Sequence, residues 1–307
     1  MQPLGGSELA FQCLLDNIGD DWQSHINLIL STCHHENIDP NKINVVWQQL
    51  SYDQDNVKLM NDPSFVDKID YFVYVSHWNY EKFRNVYNIP EHKSIVIKNA
   101  TNSFINNQKD RTKKLKLIYT STPWRGLHVL LDAFSLLNRD DVELDIFSSS
   151  IIYGTGFNST YGDQYKPLYN RAREMKNVNY MGYSSNAGVR RAVENAHIFT
   201  YPCTFEETSC MSAIEAASAG CAMVTTNYGA LYETCGDWSS YVPYQADHRK
   251  LAHAYADELN KCIENYWTDE TQQKLIAQVY YYNKFYSWNV RKLEWRNFFD
   301  RISKEKT

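Results

Sequence analysis

The sequence lacks several features that would assign it to a common class of protein. None of its apolar runs approaches the roughly 20 residues of a membrane span, so no transmembrane segment is expected. The start, MQPLGGSELA, lacks the apolar core of a signal peptide. The formal net charge is −5, and this absence of a basic excess argues against general binding of nucleic acid. The composition is that of a globular protein, and the length favours two domains.

The cysteines show no pairing pattern. There are seven of them, an odd number, and several lie in apolar runs, as buried free thiols do. They are Cys13, Cys33, Cys203, Cys210, Cys221, Cys235 and Cys262. We therefore predict a reducing, cytoplasmic location without a disulfide framework.

Familiar catalytic and metal-binding motifs are missing too. The sequence contains no Gly-x-Ser-x-Gly elbow and no Walker phosphate loop. The best metal candidate is Cys33-His34-His35-Glu36, which has no second ligand pair at a matching spacing and is interpreted as a polar loop. We therefore expect neither a metal nor a bound cofactor.

Strand and helix patterns alternate along the chain in two series. Strands are predicted at residues 25–31, 43–48, 71–76 and 94–97, and again at 115–120, 142–147, 178–180, 197–201, 221–226 and 240–244. The polar, basic segment 102–116 is interpreted as an interdomain linker. This alternation predicts an α/β fold with two Rossmann-like domains of parallel sheet that face a central cleft. The aromatic tail, residues 269–303, has helical spacing and is expected to be one long helix that packs across both domains.

The stretch from residue 201 to residue 229 organises the second series. It reads as a strand end, an acidic turn with Glu206 and Glu207, a short helix at 210–219 with Glu215 in its middle, a stop at Gly220 in the left-handed conformation, and a second strand. The helix N-terminus presents free amide groups, which suit a diphosphate. Glu215 can accept hydrogen bonds from the hydroxyls of a ribose, and Glu207 from those of a sugar. The alternative is a capping carboxylate and a solvated helix glutamate.

The segment from Phe205 to Gly220 closely resembles the E-x(7)-E signature of glycosyltransferase family 4, retaining enzymes of the GT-B fold that use nucleotide sugars. Further segments resemble that family in the expected order along nearly the whole chain. They are Gly5-Gly6-Ser7-Glu8, Val75-Ser76 with Phe83, Ile97-Lys98-Asn99, the strand and turn at 118–127, and the strand at 178–183. The resemblance is strongest between residues 117 and 232.

The resemblance implies a role for each matching residue. Glu207 contacts the donor sugar, and Arg125 neutralises the diphosphate, as the guanidinium fork suits phosphate; these two are the predicted catalytic residues. Glu215 binds the nucleotide ribose. The rest of the implied donor site consists of the backbone amides of Ser209, Cys210 and Met211 at the diphosphate, Tyr183 near the base, and Thr208, Ser121 and Gly6. Tyr183 as a surface turn residue and Arg125 as a solvated one are the alternatives.

The implied function is that of a retaining, metal-independent hexosyltransferase with a nucleotide sugar, best matched by UDP-glucose, as co-substrate. Residues 1–108 would form the acceptor domain and residues 109–283 the nucleotide-sugar domain, while the helix at 284–307 would return to the first domain. The sequence does not reveal the acceptor. The competing interpretation is a protein that binds nucleotide sugars without transferring them.

The sequence departs from the family pattern at three places. Only four residues precede the Gly5-Gly6 turn, too few for a central strand, so we expect either that the first strand is absent or that the sequence starts too late to include it. Gln48 and Gln49 stand where the family often has a histidine that can carry a proton. Thr120-Ser121-Thr122 stands where the family commonly has a second basic residue, so Arg125 alone must offset the diphosphate.

Overall fold

Two parallel β-sheets form the framework of the protein, whose computed structural model describes residues 5–104, 109–111, 114–150 and 162–305. The first sheet has the order β1-β2-β3-β4, with β1 at Ile26–Leu30, β2 at Ile43–Gln48, β3 at Tyr71–Tyr74 and β4 at Ser94–Val96. The prediction of a missing first strand concerns residues 1–4, which lie outside the described residues. The two parallel sheets confirm the predicted α/β architecture with two Rossmann-like domains.

The second sheet has the order β10-β9-β8-β5-β6-β7. Its strands are β5 at Leu115–Thr120, β6 at Val142–Phe147, β7 at Val178–Tyr180, β8 at Ile198–Tyr201, β9 at Ala222–Thr226 and β10 at Ser239–Val242. The order reverses beside β5, which pairs with β6 on one side and with β8 on the other. A reversal of this kind opens a crevice at the carboxyl ends of the strands.

Helices cover both sheets. In the first half they are α1 (Gly6–Ile18), α2 (Pro63–Val66) and α3 (His77–Tyr87). In the second half they are α4 (Leu127–Leu137), α5 (Lys166–Glu174), α6 (Asn186–Asn195), α7 (Met211–Ser218), α8 (Leu231–Cys235) and α9 (His248–Asn265). The tail contains α10 (Asp269–Phe285) and α11 (Trp288–Glu305). Among the residues described, no helix is both long and apolar enough to cross a membrane.

The tail is two helices, so the prediction of one long helix is wrong. Tyr286 and Ser287, between α10 and α11, are outside the helical pattern: the carbonyl oxygen of Tyr286 accepts a hydrogen bond from Thr101 N at 2.8 Å, and Ser287 forms an isolated β-bridge with Thr101. The chain therefore crosses between its two halves twice, once near residue 101 and once near residue 286, and the two crossings touch.

The last helix packs against the first half, as predicted. Trp295 of α11 meets Trp47 of β2 edge to face, with ring centroids 4.8 Å apart, and Phe299 lies 4.8 Å from Trp22. These side chains are buried, and aromatic burial of this extent contributes strongly to stability. The preceding helix α10 belongs to the second half, where Gln278 donates to the carbonyl groups of Ala217 and Cys221.

Candidate active site

A cavity of about 390 Å3 lies between the two halves. The first half contributes residues 5–8, 30–32, 49–51, 54, 56 and 99, and the second half contributes residues 120–122, 125, 201, 205 and 207–212. A second cavity of about 260 Å3 adjoins it and shares Gly6, Thr120, Ser121, Met211 and Ser212. Both lie at the carboxyl ends of strands, where ligands of Rossmann-like folds bind.

All of the site residues predicted from the sequence line one or both of these cavities. The first cavity contains Gly6, Ser121, Arg125, Glu207, Thr208, Ser209, Cys210 and Met211. The second contains Glu215 and Tyr183, whose side chain is about half exposed. The structure thus divides the predicted residues into a cavity around Glu207 and a neighbouring cavity around Glu215.

Glu207 and Arg125 form an ion pair at the wall of the first cavity. Arg125 Nη1 lies 2.5 Å from Glu207 Oε1, and the guanidinium carbon lies 4.4 Å from the centre of the Phe205 ring. The same carboxylate oxygen accepts a hydrogen bond from the hydroxyl of Tyr201 at 2.5 Å. Burial raises the pKa of Tyr201 well above its ordinary value, so this phenol stays protonated and donates. Arg125, which is predicted to neutralise a diphosphate, therefore also forms an ion pair with Glu207.

Two glycines hold this pair in place. Gly126, next to Arg125, has φ +104°, and a Cβ there would overlap the carbonyl oxygen of Pro202. Gly229 has φ +64°, and a Cβ there would overlap the backbone of Glu207. Only glycine permits both the backbone conformation and this close approach. The turn that carries Arg125 is thus packed closely against the backbone of Pro202. The turn that carries Glu207 is packed closely against the backbone of Gly229.

The start of α7 faces the first cavity. The helix begins at Met211, one residue later than predicted, because Cys210 adopts a left-handed conformation with φ 67°. Successive amide groups around a left-handed residue form a concave anion site, and the first-turn amides of a helix have no partner within it. Ser212 Oγ donates to the carbonyl oxygen of Thr120 at 2.7 Å and so fixes the helix against β5. The predicted left-handed stop at Gly220 is confirmed by its φ of 76°.

Glu215 has a partner that the sequence did not suggest. Arg190 of α6 places Nη1 2.7 Å from Glu215 Oε1. Burial raises the pKa of Glu215, and the charge of Arg190 and its hydrogen bond oppose this rise. The carboxylate is therefore held beside the second cavity by Arg190 and by a hydrogen bond with the side chain of Thr101.

The acidic turn is docked on the first half of the chain. Thr208 Oγ1 donates to the carbonyl oxygen of Gln49 at 2.8 Å, and Ser76 Oγ donates to the carbonyl oxygen of Thr208 at 2.7 Å. Lys82 lies 3.9 Å from Glu206 across the same boundary. The position of Glu207 therefore depends on both halves.

The two glutamines that replace a histidine serve different purposes. Gln48 is fully buried and supports the backbone, since it donates to the carbonyl oxygen of Ser31 and accepts from Leu50 N. Gln49 lines the first cavity and exchanges two hydrogen bonds, of 3.1 and 3.0 Å, with the amide of Asn99. The wall of the first cavity thus carries a neutral amide pair at this point.

Glu233 of α8 is a second residue that the sequence did not suggest. Its two carboxylate oxygens accept from His77 N and Trp78 N, each at 3.0 Å, at the start of α3 in the other half. Lys98 Nζ lies 2.9 Å from the same carboxylate. Burial raises the pKa of Glu233, but these hydrogen bonds and the Lys98 charge outweigh it, so the pKa is lowered. Glu233 thus caps a helix across the cleft.

Replacement of Glu233 by alanine is expected to loosen α3 from the second half. The loss of a helix cap costs about 1–2 kcal/mol of unfolding free energy, and hydrogen exchange should accelerate in peptides that contain residues 77–80. Urea unfolding and exchange mass spectrometry measure the two effects. Glu174→Ala, at an exposed position of α5, is the matched control and should change neither. Unchanged exchange in the Glu233 variant would contradict the assigned contact.

Within the described ranges, no group of three or more histidine, cysteine, aspartate or glutamate side chains is arranged to hold a metal ion. His35, from the candidate loop, instead lies 3.6 Å from Asp62, and both side chains are largely exposed.

Comparison with known proteins identifies the chain's relatives. Residues 98–280, more than half of the chain, match the family model described as glycosyl transferases group 1. Among curated proteins, none matches the chain.

Solved structures share the fold at low identity. A glycosyltransferase from Rickettsia africae is 16% identical with a TM-score of 0.69, and the match covers 95% of this chain and 82% of that one. Anabaena Alr3699/HepE in complex with UDP-glucose is 14% identical with a TM-score of 0.66, covering 85% and 72%. Sucrose-phosphate synthase from Thermosynechococcus elongatus is 15% identical with a TM-score of 0.66, covering 86% and 69%. These likenesses establish the GT-B arrangement of two Rossmann-like domains.

Proposed function

Because the chain belongs to the glycosyl transferases of group 1, we propose that it transfers a hexose from a nucleotide diphosphate sugar to an acceptor hydroxyl, with retention of configuration. The observation that carries this proposal is the joint placement of Arg125, Glu207 and the start of α7 on one cavity, with Glu215 in the adjoining one. The division suits a diphosphate and sugar in the first cavity and a nucleoside in the second. UDP-glucose is the proposed donor, because the similar Anabaena protein was solved with it.

The proposed chemistry needs positive charge where the diphosphate departs. The acceptor oxygen forms a bond to the anomeric carbon while the bond to the phosphate oxygen breaks, and the electron pair leaves with the phosphate. Arg125 and the first-turn amides of α7 stabilise that developing charge, so no metal is required. The acceptor oxygen attacks the face of the sugar from which the phosphate departs, which gives retention, and its proton passes to the departing phosphate oxygen. Glu207 orients Arg125 and the sugar hydroxyls, and no covalent nucleophile is assigned.

The first half supplies the acceptor wall of the cavity. The Gln49–Asn99 amide pair and the backbone at Gly5 and Gly6 offer neutral hydrogen-bonding groups there. A hydroxyl-bearing acceptor matches such a wall. A reducing, cytoplasmic location remains part of the proposal, since all seven cysteines are free thiols.

A second candidate is a nucleotide-sugar binding protein without transfer activity. The replacement of a proton carrier by the Gln49–Asn99 pair favours it, because an amide cannot take up a proton at neutral pH. The two candidates differ in turnover and not in binding.

The deciding experiment incubates the protein with radiolabelled UDP-glucose, and in parallel with GDP- and ADP-glucose, in the presence of water or of a panel of sugar acceptors. Release of free nucleotide above background, with a product of unchanged anomeric configuration by NMR, is the expected result. Calorimetric binding without turnover of any donor would favour the second candidate. An inverted product would contradict the retaining mechanism.

A further inference from the structure

Among the described residues, Arg190 is the arginine that contacts Glu215. Its other contacts are with Thr101, Asn102 and Phe104, which are outside the lining of both cavities. Nη1 also lies 2.9 Å from Thr101 Oγ1, and Nη2 donates to the carbonyl oxygen of Asn102 at 2.7 Å. The guanidinium carbon lies 4.0 Å from the centre of the Phe104 ring. Glu215 is therefore joined to the segment where the chain leaves the first half through Arg190 and through a hydrogen bond with the side chain of Thr101 itself.

The same segment touches the return crossing of the chain. Thr101 N donates to the carbonyl oxygen of Tyr286, and Thr101 forms a β-bridge with Ser287. Arg190 thus lies beside both connections between the halves and beside the second cavity. Its guanidinium is planar and permanently charged, so its contacts fix the direction of every bond that it makes.

We propose that Arg190 is a positioning residue, which holds the Glu215 carboxylate for the ribose hydroxyls of the donor and ties that carboxylate to the crossing between the two halves. This inference rests on the proposed function, since it assumes a nucleotide in the second cavity. Arg190 and the side chain of Thr101 each occupy one acceptor position on the carboxylate, which has about four, so positions remain for two hydroxyls.

Preorganisation is the physical reason for such a device. A glutamate side chain without a partner loses rotamer freedom when it binds a ligand, and that loss weakens binding. Arg190 imposes this loss in advance, and its charge opposes the rise in the pKa of Glu215 that burial causes. Because linkage is reciprocal, contacts of Arg190 with Thr101 and Asn102 that favour ribose binding at Glu215 are in turn stabilised by the bound ribose to the same extent.

The test compares the wild-type protein with Arg190→Ala, Arg190→Lys and Arg191→Ala. Arg191 is the exposed neighbour on the same helix, so its loss removes the same charge without touching Glu215. Calorimetry measures binding of whichever of UDP, GDP and ADP the wild-type protein binds most tightly, and of its 2′,3′-dideoxy counterpart. Hydrogen exchange of peptides that cover residues 98–104 and 284–290 is measured with and without the nucleotide.

Arg190→Ala should weaken binding of the natural nucleotide about tenfold but that of the dideoxy form less than threefold, and Arg190→Lys should recover part of the difference. The nucleotide should slow exchange at both crossings in the wild type and in Arg191→Ala, and not in Arg190→Ala. Equal losses for both nucleotides, or full discrimination retained by Arg190→Ala, would overturn the inference alone. Absence of binding to all three nucleotides by the wild type would instead overturn the proposed function and this inference with it.

Discussion

Glu207→Gln is expected to reduce sugar transfer by at least about 100-fold while the dissociation constant for the nucleotide changes less than about threefold. Glutamine has nearly the same shape, and its carbonyl oxygen can still accept from Tyr201. Glutamine lacks the negative charge that pairs with Arg125, 2.5 Å away. The Arg125 side chain is therefore no longer held in a fixed orientation. Nucleotide affinity should persist, because Glu215 lies in the adjoining cavity. Initial rates of nucleotide release and calorimetry measure the two quantities.

The neighbouring residue provides the control for this prediction. Glu206→Gln makes the same chemical change one position earlier, where the carboxylate faces Lys82 and is outside the lining of both cavities. Its transfer rate should stay within about threefold of the wild type, since a partly exposed ion pair contributes little. A Glu207→Gln enzyme that keeps more than a tenth of the wild-type rate would show that the Glu207 charge is not needed for transfer.

Strand positions could be predicted because parallel strands buried on both faces are continuous apolar runs. β2 at Ile43–Gln48 and β5 at Leu115–Thr120 have the predicted bounds, and both are followed by polar residues that line the first cavity. The strands of a parallel sheet have their carboxyl ends at one edge, and in this fold that edge of each sheet faces the cleft. This is why the predicted site residues, from Gly6 to Glu215, lie at the two cavities.

The partners of the glutamates could not be predicted, because no local pattern encodes them. Arg190 and Arg191 are adjacent on α6, and only the docking of α6 beside α7 selects Arg190 for Glu215. Glu233 and His77 are 156 positions apart, and their contact requires the two halves to pack against each other. The break in the tail has the same origin, since it lies where Tyr286 and Ser287 contact Thr101, which is distant in sequence.

Gly126→Ala and Gly229→Ala are each expected to lower the free energy of unfolding by roughly 3 kcal/mol. A non-glycine residue at φ +104° or +64° is strained in itself, and each new Cβ would also overlap backbone atoms, which move less easily than a side chain. The backbone that must yield belongs to Pro202 in the first variant and to Glu207 in the second. Urea unfolding, followed by circular dichroism, measures the loss.

Gly6→Ala separates this steric effect from the general effect of an added methyl group. A Cβ at Gly6 has no atom within 4 Å, and the residue begins α1, so its stability should equal or slightly exceed that of the wild type. Gly229→Ala should also lose transfer activity in the fraction that remains folded, because the displaced atoms are those of Glu207 itself. A Gly229 variant that folds with wild-type stability and activity would mean that the Glu207 turn can shift freely. The Glu207 carboxylate would then not be held in a fixed position beside Arg125.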